Sequence, residues 1–173
     1  MFKDLPSLIE PSLLAFQGCH LKGRVALAQM ERLRDSLCDV RGDVYIDWLF
    51  ATDDKQRPTI QGSVQTQLSV LCQRCLQPML WPIDTKMALI ILNKKPNQHE
   101  ELPVKYEVLT LTSTQVPLIT LIEDELILAL PIVVRHTVCP SNEYQLSDSL
   151  TEHNIFPNNP FHILSQLKTE TRG

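Results

Sequence analysis

An alternation of apolar and polar side chains over residues 60–72 constrains the fold more than any other feature of the sequence. Successive side chains of a β-strand point to opposite faces of the sheet, so a period of two predicts a strand. Glutamine and serine fill most of the polar positions, which indicates a solvated second face, as is typical of antiparallel sheets. The apolar face carries Ile60, Gly62, Val64, Thr66, Leu68, Val70 and Cys72.

Neighbouring segments repeat this alternation. Residues 43–50 and 81–91 show the same period of two, and polar residues between them and the central strand supply turns. We therefore predict a meander of at least three long strands. A further strand is expected near residues 106–111 and a short one near residues 13–16.

Two other segments have helical periodicity. In residues 25–37 and 118–130, apolar side chains recur three and four positions apart, which is the spacing of one helical face. Pro131 ends the second segment. Strands in a meander together with these helices predict an α+β fold, with an antiparallel sheet of about five strands covered on one face by two or three α-helices.

The length of the chain suits one principal domain. A chain of 173 residues has the size of one domain, or of a domain with a tail. We predict a single α+β domain over residues 1–140 and a polar linker over residues 141–158, where periodicity is lost. Asn159-Pro160 has the form of a helix start, so residues 159–173 are predicted to form a short C-terminal helix and tail.

The charge distribution limits the kind of partner. The formal net charge is −4, which argues against coating of nucleic acid through bulk charge. Residues 1–95 carry 12 basic and 10 acidic side chains, whereas residues 96–173 carry 4 basic and 10 acidic ones. The acidic C-terminal half therefore favours a basic protein partner. The candidates for RNA contact are Arg74, Lys94 and Lys95, together with Arg32, Arg34 and Arg41.

Glu123, Asp124 and Glu125 are consecutive acids inside the second helical segment. Consecutive helical positions point about 100 degrees apart, so the three carboxylates cannot converge on one metal ion. We predict instead a solvated or partner-facing acidic patch, with at least one acid near the edge of the helix. Within the chain, its expected basic neighbour is Arg74 or Arg135.

The cysteines offer one candidate metal site. Two residues separate Cys72 from Cys75, a spacing that lets both thiolates bind one zinc ion, and His136 and Cys139 repeat it. Cys72 is nevertheless in phase with the apolar strand face, where a free thiol packs as a small hydrophobic side chain. We therefore expect a structural role and no cofactor, with zinc as the alternative. Redox chemistry fits less well, because the pair does not open a helix.

Common enzyme motifs are absent from the sequence. It has five glycines and lacks a glycine-rich phosphate loop, a nucleophile elbow and a paired-histidine metalloprotease helix. We therefore predict no catalytic residue and no small-molecule substrate. No signal peptide or membrane-spanning stretch is recognisable, and the cysteines are odd in number. These features predict a reducing, cytoplasmic location and no membrane partner.

Four motifs together resemble one bacterial family. They are CQRCLQP at 72–78, EDELILALP at 123–131, the pair His136 and Cys139, and NPFHIL at 159–164. Their order and spacing are similar to those of the YceD family, the large ribosomal RNA subunit accumulation proteins. The resemblance implies a non-enzymatic ribosome-biogenesis factor that supports synthesis, processing or stability of 23S rRNA. The implied partners are precursor large-subunit rRNA, a ribosomal protein or another assembly factor.

One alternative to this role stays open at the level of sequence. A zinc-stabilised binding module of unrelated purpose would use Cys72, Cys75, His136 and Cys139 to hold its fold together. A thiol-dependent enzyme fits the pattern less well than either. Metal analysis separates the zinc module from a metal-free assembly factor, and thiol reactivity tests the enzyme.

Overall fold

The computed structural model describes residues 5–92 and 104–140. Short helices and a short outer strand pair surround a set of longer strands. Within the described residues, the strands are β1 (Leu8–Ile9), β2 (His20–Ala26), β3 (Asp43–Thr52), β4 (Pro58–Leu71), β5 (Pro78–Leu92), β6 (Glu107–Thr110) and β7 (Val116–Pro117). The helices are α1 (Pro11–Phe16), α2 (Glu31–Arg34) and α3 (Leu118–Ala129), with a 3-10 turn at Leu27–Gln29.

Five strands form one sheet in the order β2-β3-β4-β5-β6. The first four run antiparallel to their neighbours, whereas β6 runs parallel to β5. The α+β prediction is confirmed, and so is the meander. The expectation that all strands would be antiparallel is wrong for β6, because a parallel neighbour needs a crossover connection and an alternating pattern does not encode strand direction. A separate two-stranded sheet pairs β1 with β7.

The longest hairpin, β4–β5, places the candidate site. Its pairing runs from Thr59 opposite Ile90 to Leu71 opposite Pro78, so the two strands end together at a turn of residues 72–77. The Cys72–Cys75 pair lies in this turn. In β4, a Cβ added at Gly62 would lie 2.0 Å from the Asp47 carbonyl oxygen of β3, so β3 and β4 approach too closely there for any side chain.

The apolar face of the sheet is covered by α1 and α3. Trp48, Phe50 and Leu68 are fully buried on this face, as the alternating pattern predicts. From α3, Ile122 and Leu126 complete the same core cluster. Burial of this continuous apolar layer on one side leaves the other face of the sheet to the polar residues of the alternation.

Two local predictions in the N-terminal part are wrong. Residues 13–16 belong to helix α1 and not to a strand, because Pro11 occupies the first helical position with its φ already fixed. The helix expected over residues 25–37 is divided among the end of β2, the 3-10 turn and α2. Leu27, Met30 and Leu33 are all fully buried, and this spacing of three imitated a helical face.

The helix predicted over residues 118–130 is confirmed close to its predicted bounds. α3 spans Leu118–Ala129, and its buried side includes Ile122 and Leu126 as expected. One compact unit covers Met1–Cys139 and a second covers Pro140–Gly173. The predicted linker at 141–158 and helix at 159–173 lie outside the described residues. Across residues 5–92 and 104–140, no helix is long and apolar enough to cross a membrane.

Candidate metal centre

The β4–β5 turn buries two thiols. Cys72 follows the last residue of β4, and its amide donates to the Gln77 carbonyl at 3.0 Å, while the Leu76 amide donates to the Cys72 carbonyl at 2.9 Å. Leu76 closes the turn with φ at +56°, a left-handed conformation that is uncommon for a leucine. This tight closure points both Cys72 and Cys75 inward, where they are fully buried.

The chain after α3 supplies the second half of the site. This post-α3 segment, residues 130–139, is anchored to the turn by a hydrogen bond of 2.8 Å from the Gln73 amide to the Val134 carbonyl. Val134 is buried in the core cluster, and the His136 amide donates to the Cys72 sulfur at 3.3 Å. The segment therefore brings His136 and Cys139 against the cysteine pair.

The four predicted ligands converge on one point. Their ligand atoms all lie within 4.8 Å of one another. The Cys72 and Cys139 sulfurs are 3.8 Å apart, and the Cys75 sulfur is 3.3 Å from Nδ1 of His136. Two thiolates bound at about 2.3 Å to a tetrahedral zinc ion are separated by about 3.8 Å. The positions of these atoms therefore fit a single tetrahedral metal ion.

Donors around the site favour negative charge on Cys72. Burial raises the pKa of its thiol, but the backbone amides of Cys75, His136 and Arg74 donate to the sulfur and lower the pKa to about 5. Burial raises the pKa of Cys75, with the neighbouring sulfurs of Cys139 and Cys72 adding to the effect. One thiolate and one thiol are therefore the favoured forms of this pair at neutral pH.

Arg74, predicted as an RNA contact, belongs to this site. Its Nε donates to the Cys139 sulfur at 2.9 Å, and one terminal nitrogen donates to the His136 carbonyl at 3.0 Å. The hydrogen bond with Cys139 raises the pKa of the Arg74 guanidinium. This role differs from the predicted RNA contact, although the position of Arg74 between two candidate ligands was a signal for it.

The acidic run on α3 does not form one patch. Glu123 is buried and accepts hydrogen bonds from Arg32 Nε at 3.0 Å and from the Leu33 amide at 2.9 Å. Asp124 pairs with the same arginine at 2.8 Å. The expected intrachain partner, Arg74 or Arg135, is therefore wrong, because α2 packs beside α3 and places Arg32 over the acids. A partner-facing role stays a prediction for Asp124 and Glu125 only.

The remaining predicted contact residues are Glu125, Lys94 and Lys95. Burial raises the pKa of Glu125, and Glu107 and Asp124 add to this effect through charge repulsion. Glu125 lies beside a cavity between α3 and β6 that Val108 and Leu128 also line. Lys94 and Lys95 lie outside the described residues.

Comparisons with known proteins agree on one family. The family model described as large ribosomal RNA subunit accumulation protein YceD matches residues 60–168. A protein of that name from Haemophilus influenzae is 31% identical over 168 residues, which cover 95% of this chain and 96% of the relative. No solved structure matches the chain significantly. With similarity along nearly its whole length, this chain belongs to the YceD family of large ribosomal RNA subunit accumulation proteins.

Proposed function

We propose that this protein is a non-enzymatic cytoplasmic factor that promotes accumulation of 23S rRNA by supporting its synthesis, processing or stability. The observation that carries the proposal is the similarity, over 95% of the chain, to a relative named for large ribosomal RNA subunit accumulation. Family membership gives the protein a role in large-subunit RNA accumulation. The proposal adds that the role is exercised through binding and without catalysis.

The charges of the described surface support a protein as the immediate partner. Two basic side chains of β2 are neutralised within the chain, since Lys22 pairs with Asp47 and Arg24 pairs with Asp43. Phosphate binding depends on cations that are available to replace counterions along the nucleic acid backbone. The excess of acidic over basic side chains in residues 96–173 instead suits a basic ribosomal protein or another assembly factor.

The test of the role is the ratio of the two ribosomal RNAs in cells. Deletion of the gene should lower 23S rRNA relative to 16S rRNA, and the full-length gene supplied in trans should restore the ratio. Pulse labelling then separates lower synthesis from faster decay. An unchanged ratio with normal subunit profiles would contradict the proposal.

A second experiment tests the immediate partner. Full-length tagged protein should recover a basic ribosomal protein or an assembly factor from a cleared lysate, and the recovery should survive nuclease treatment. Recovery that depends wholly on intact RNA would instead make rRNA the direct ligand. Asp124→Asn combined with Glu125→Gln should weaken a protein contact that uses these two partly exposed acids. Glu31→Gln provides a matched control, because Glu31 is an exposed acid on α2, outside the acidic run.

The alternative function is a zinc-stabilised binding module of unrelated purpose. The convergence of three cysteines and one histidine favours the metal part of this alternative. Zinc binding and a ribosomal role are compatible, so metal content alone does not decide between them. A zinc-containing protein whose deletion leaves the 23S to 16S ratio unchanged would favour the alternative.

A further inference from the structure

We propose that Cys72, Cys75, His136 and Cys139 bind one structural Zn²⁺ ion and that Arg74 is a positioning residue for the site. This inference is independent of the ribosomal role and replaces the sequence-based expectation of no cofactor. Packing of Cys72 on the apolar strand face accounts for its burial. It does not account for the meeting of ligand atoms that are distant in the chain. Cys75 and His136 are 61 positions apart, and Cys72 and Cys139 are 67 positions apart.

The ligand set matches zinc in type, number and separation. Three sulfurs and one imidazole nitrogen form a known tetrahedral combination for structural zinc. The distance between the Cys72 and Cys139 sulfurs, 3.8 Å, equals one edge of that tetrahedron, and the distance from Cys75 Sγ to His136 Nδ1 is only slightly shorter, at 3.3 Å. The sulfur separation is far longer than the roughly 2.05 Å of a disulfide, so these two cysteines are not cross-linked.

The surroundings of the ligands are those of a prepared metal site. The His136 amide donates to Cys72 Sγ at 3.3 Å, and the turn that carries Cys72 and Cys75 is closed by the left-handed Leu76. Three thiolates, one neutral imidazole and Zn²⁺ carry a net charge of −1. Arg74, which donates to Cys139 Sγ at 2.9 Å and to the His136 carbonyl, offsets that charge.

Four protein ligands close the coordination shell, so the ion would be structural and not catalytic. The ion would cross-link the β4–β5 turn to the post-α3 segment. Among the described residues, hydrogen bonds such as that from the Gln73 amide to the Val134 carbonyl, and the packing of Leu130 and Val134 on the core, hold this segment in place without the ion. Removal of the metal should therefore release residues 130–139 and leave the sheet, whose strands do not depend on the site.

Metal content of the untagged, full-length protein is the first test. Protein purified without chelator should contain about one zinc ion per chain. Cys75→Ser and Cys139→Ser should lose it, whereas Cys19→Ser and Cys38→Ser, which alter cysteines outside the cluster, should retain it. Zinc-free wild-type protein that also takes up no added metal would overturn the proposal. So would zinc retained in both ligand variants, since the ion would then lie elsewhere.

Cobalt substitution tests the ligands in the wild-type protein, so its main result does not depend on the folding of a variant. Reduced, metal-free wild-type protein titrated with Co²⁺ should show thiolate-to-cobalt charge-transfer bands and the visible bands of a tetrahedral site, saturating at one equivalent. Cys139→His keeps four ligands and should bind Co²⁺ with weaker charge-transfer bands. An octahedral spectrum, or one without thiolate bands, contradicts the assigned ligands.

Arg74→Gln tests the positioning role. Loss of an outer contact to metal ligands lowers affinity by about 10–100-fold, and the tetrahedral spectrum should persist. Arg135→Gln is the matched control, because it removes the same charge one residue from a ligand. Equal affinities for Arg74→Gln, Arg135→Gln and the wild type would refute the role of Arg74 and leave the ligand assignment to the metal analysis.

Discussion

Replacement of Glu123 by alanine tests the buried end of the acidic run. The Glu123 side chain is 7% exposed and lies against the single turn of α2. One carboxylate oxygen accepts from the Leu33 amide at 2.9 Å and the other accepts from Arg32 Nε at 3.0 Å. Leu33 is fully buried, so alanine would leave its amide without an acceptor in a place that water does not reach.

The expected loss of stability follows from the two contacts. A hydrogen bond to a charged acceptor contributes about 1.5–3 kcal/mol. The Arg32 side chain is 50% exposed and regains water when its partner is removed, so the ion pair adds only about 0–1 kcal/mol. Glu123→Ala should therefore lower the free energy of unfolding by about 1.5–4 kcal/mol, which corresponds to a fall in Tm of about 3–16 °C. Glu123→Gln keeps an acceptor for the Leu33 amide and should cost about 1 kcal/mol.

Urea unfolding followed by circular dichroism measures this difference as a shift of the midpoint at constant slope. Asp124→Ala is the control, because Asp124 pairs with the same arginine but is 45% exposed, and it should change stability by about 0–1 kcal/mol. A Glu123→Ala variant as stable as Asp124→Ala would refute the structural role. The three acids would then form the solvated patch that the sequence predicts.

Three further predictions follow from the hairpins and the metal centre. In the β3–β4 turn, burial raises the pKa of Asp53, but hydrogen bonds from the Arg57 side chain and amide outweigh it and the net pKa is lowered. The stability that ionised Asp53 contributes is complete above the unfolded-state pKa and is lost as pH falls through the folded-state pKa. Asp53→Asn should therefore be less stable than the wild type at pH 7, and the difference in stability should close below about pH 4. A difference that does not depend on pH contradicts this assignment. Gly62→Ala should cost about 1–3 kcal/mol, since its Cβ meets the Asp47 carbonyl, whereas Ser63→Ala should not, and thermal unfolding compares the two. Chelation of the proposed zinc should lower the Tm of wild-type protein and leave that of Cys75→Ser unchanged, and equal shifts in both would contradict the ligand role of Cys75.

The long strands could be predicted because their period of two persists over many residues. In β3, the alternation correctly separates the buried Val44, Ile46, Trp48 and Phe50 from the solvated side. Residues 25–37 could not be predicted in the same way. Their burial at every third position is common to a helix and to the bent path observed, and only the pairing of Val25 with Val44 in β3 decides between them.

The candidate metal site could also be predicted from the sequence only in part. Spacing alone identified the four ligand types, since two residues separate the members of each pair. That the pairs meet depends on the path of the chain through α3, which no local pattern encodes. The same limit applies to Glu123, because three consecutive acids look alike in the sequence and only the docking of α2 on α3 selects the one that is buried.

Hairpin connectivity also determines what this chain exposes while it is being synthesised. Strands β2 to β5 pair only with neighbours in sequence, so these pairings can form as the N-terminal part leaves the ribosome. α3 and the post-α3 segment emerge at least 25 residues after the end of β5. During that interval Trp48, Phe50 and Leu68 lack part of the layer that covers them. Nascent chains that end before residue 118 should therefore present an apolar sheet face to chaperones, and released truncations of that length should aggregate.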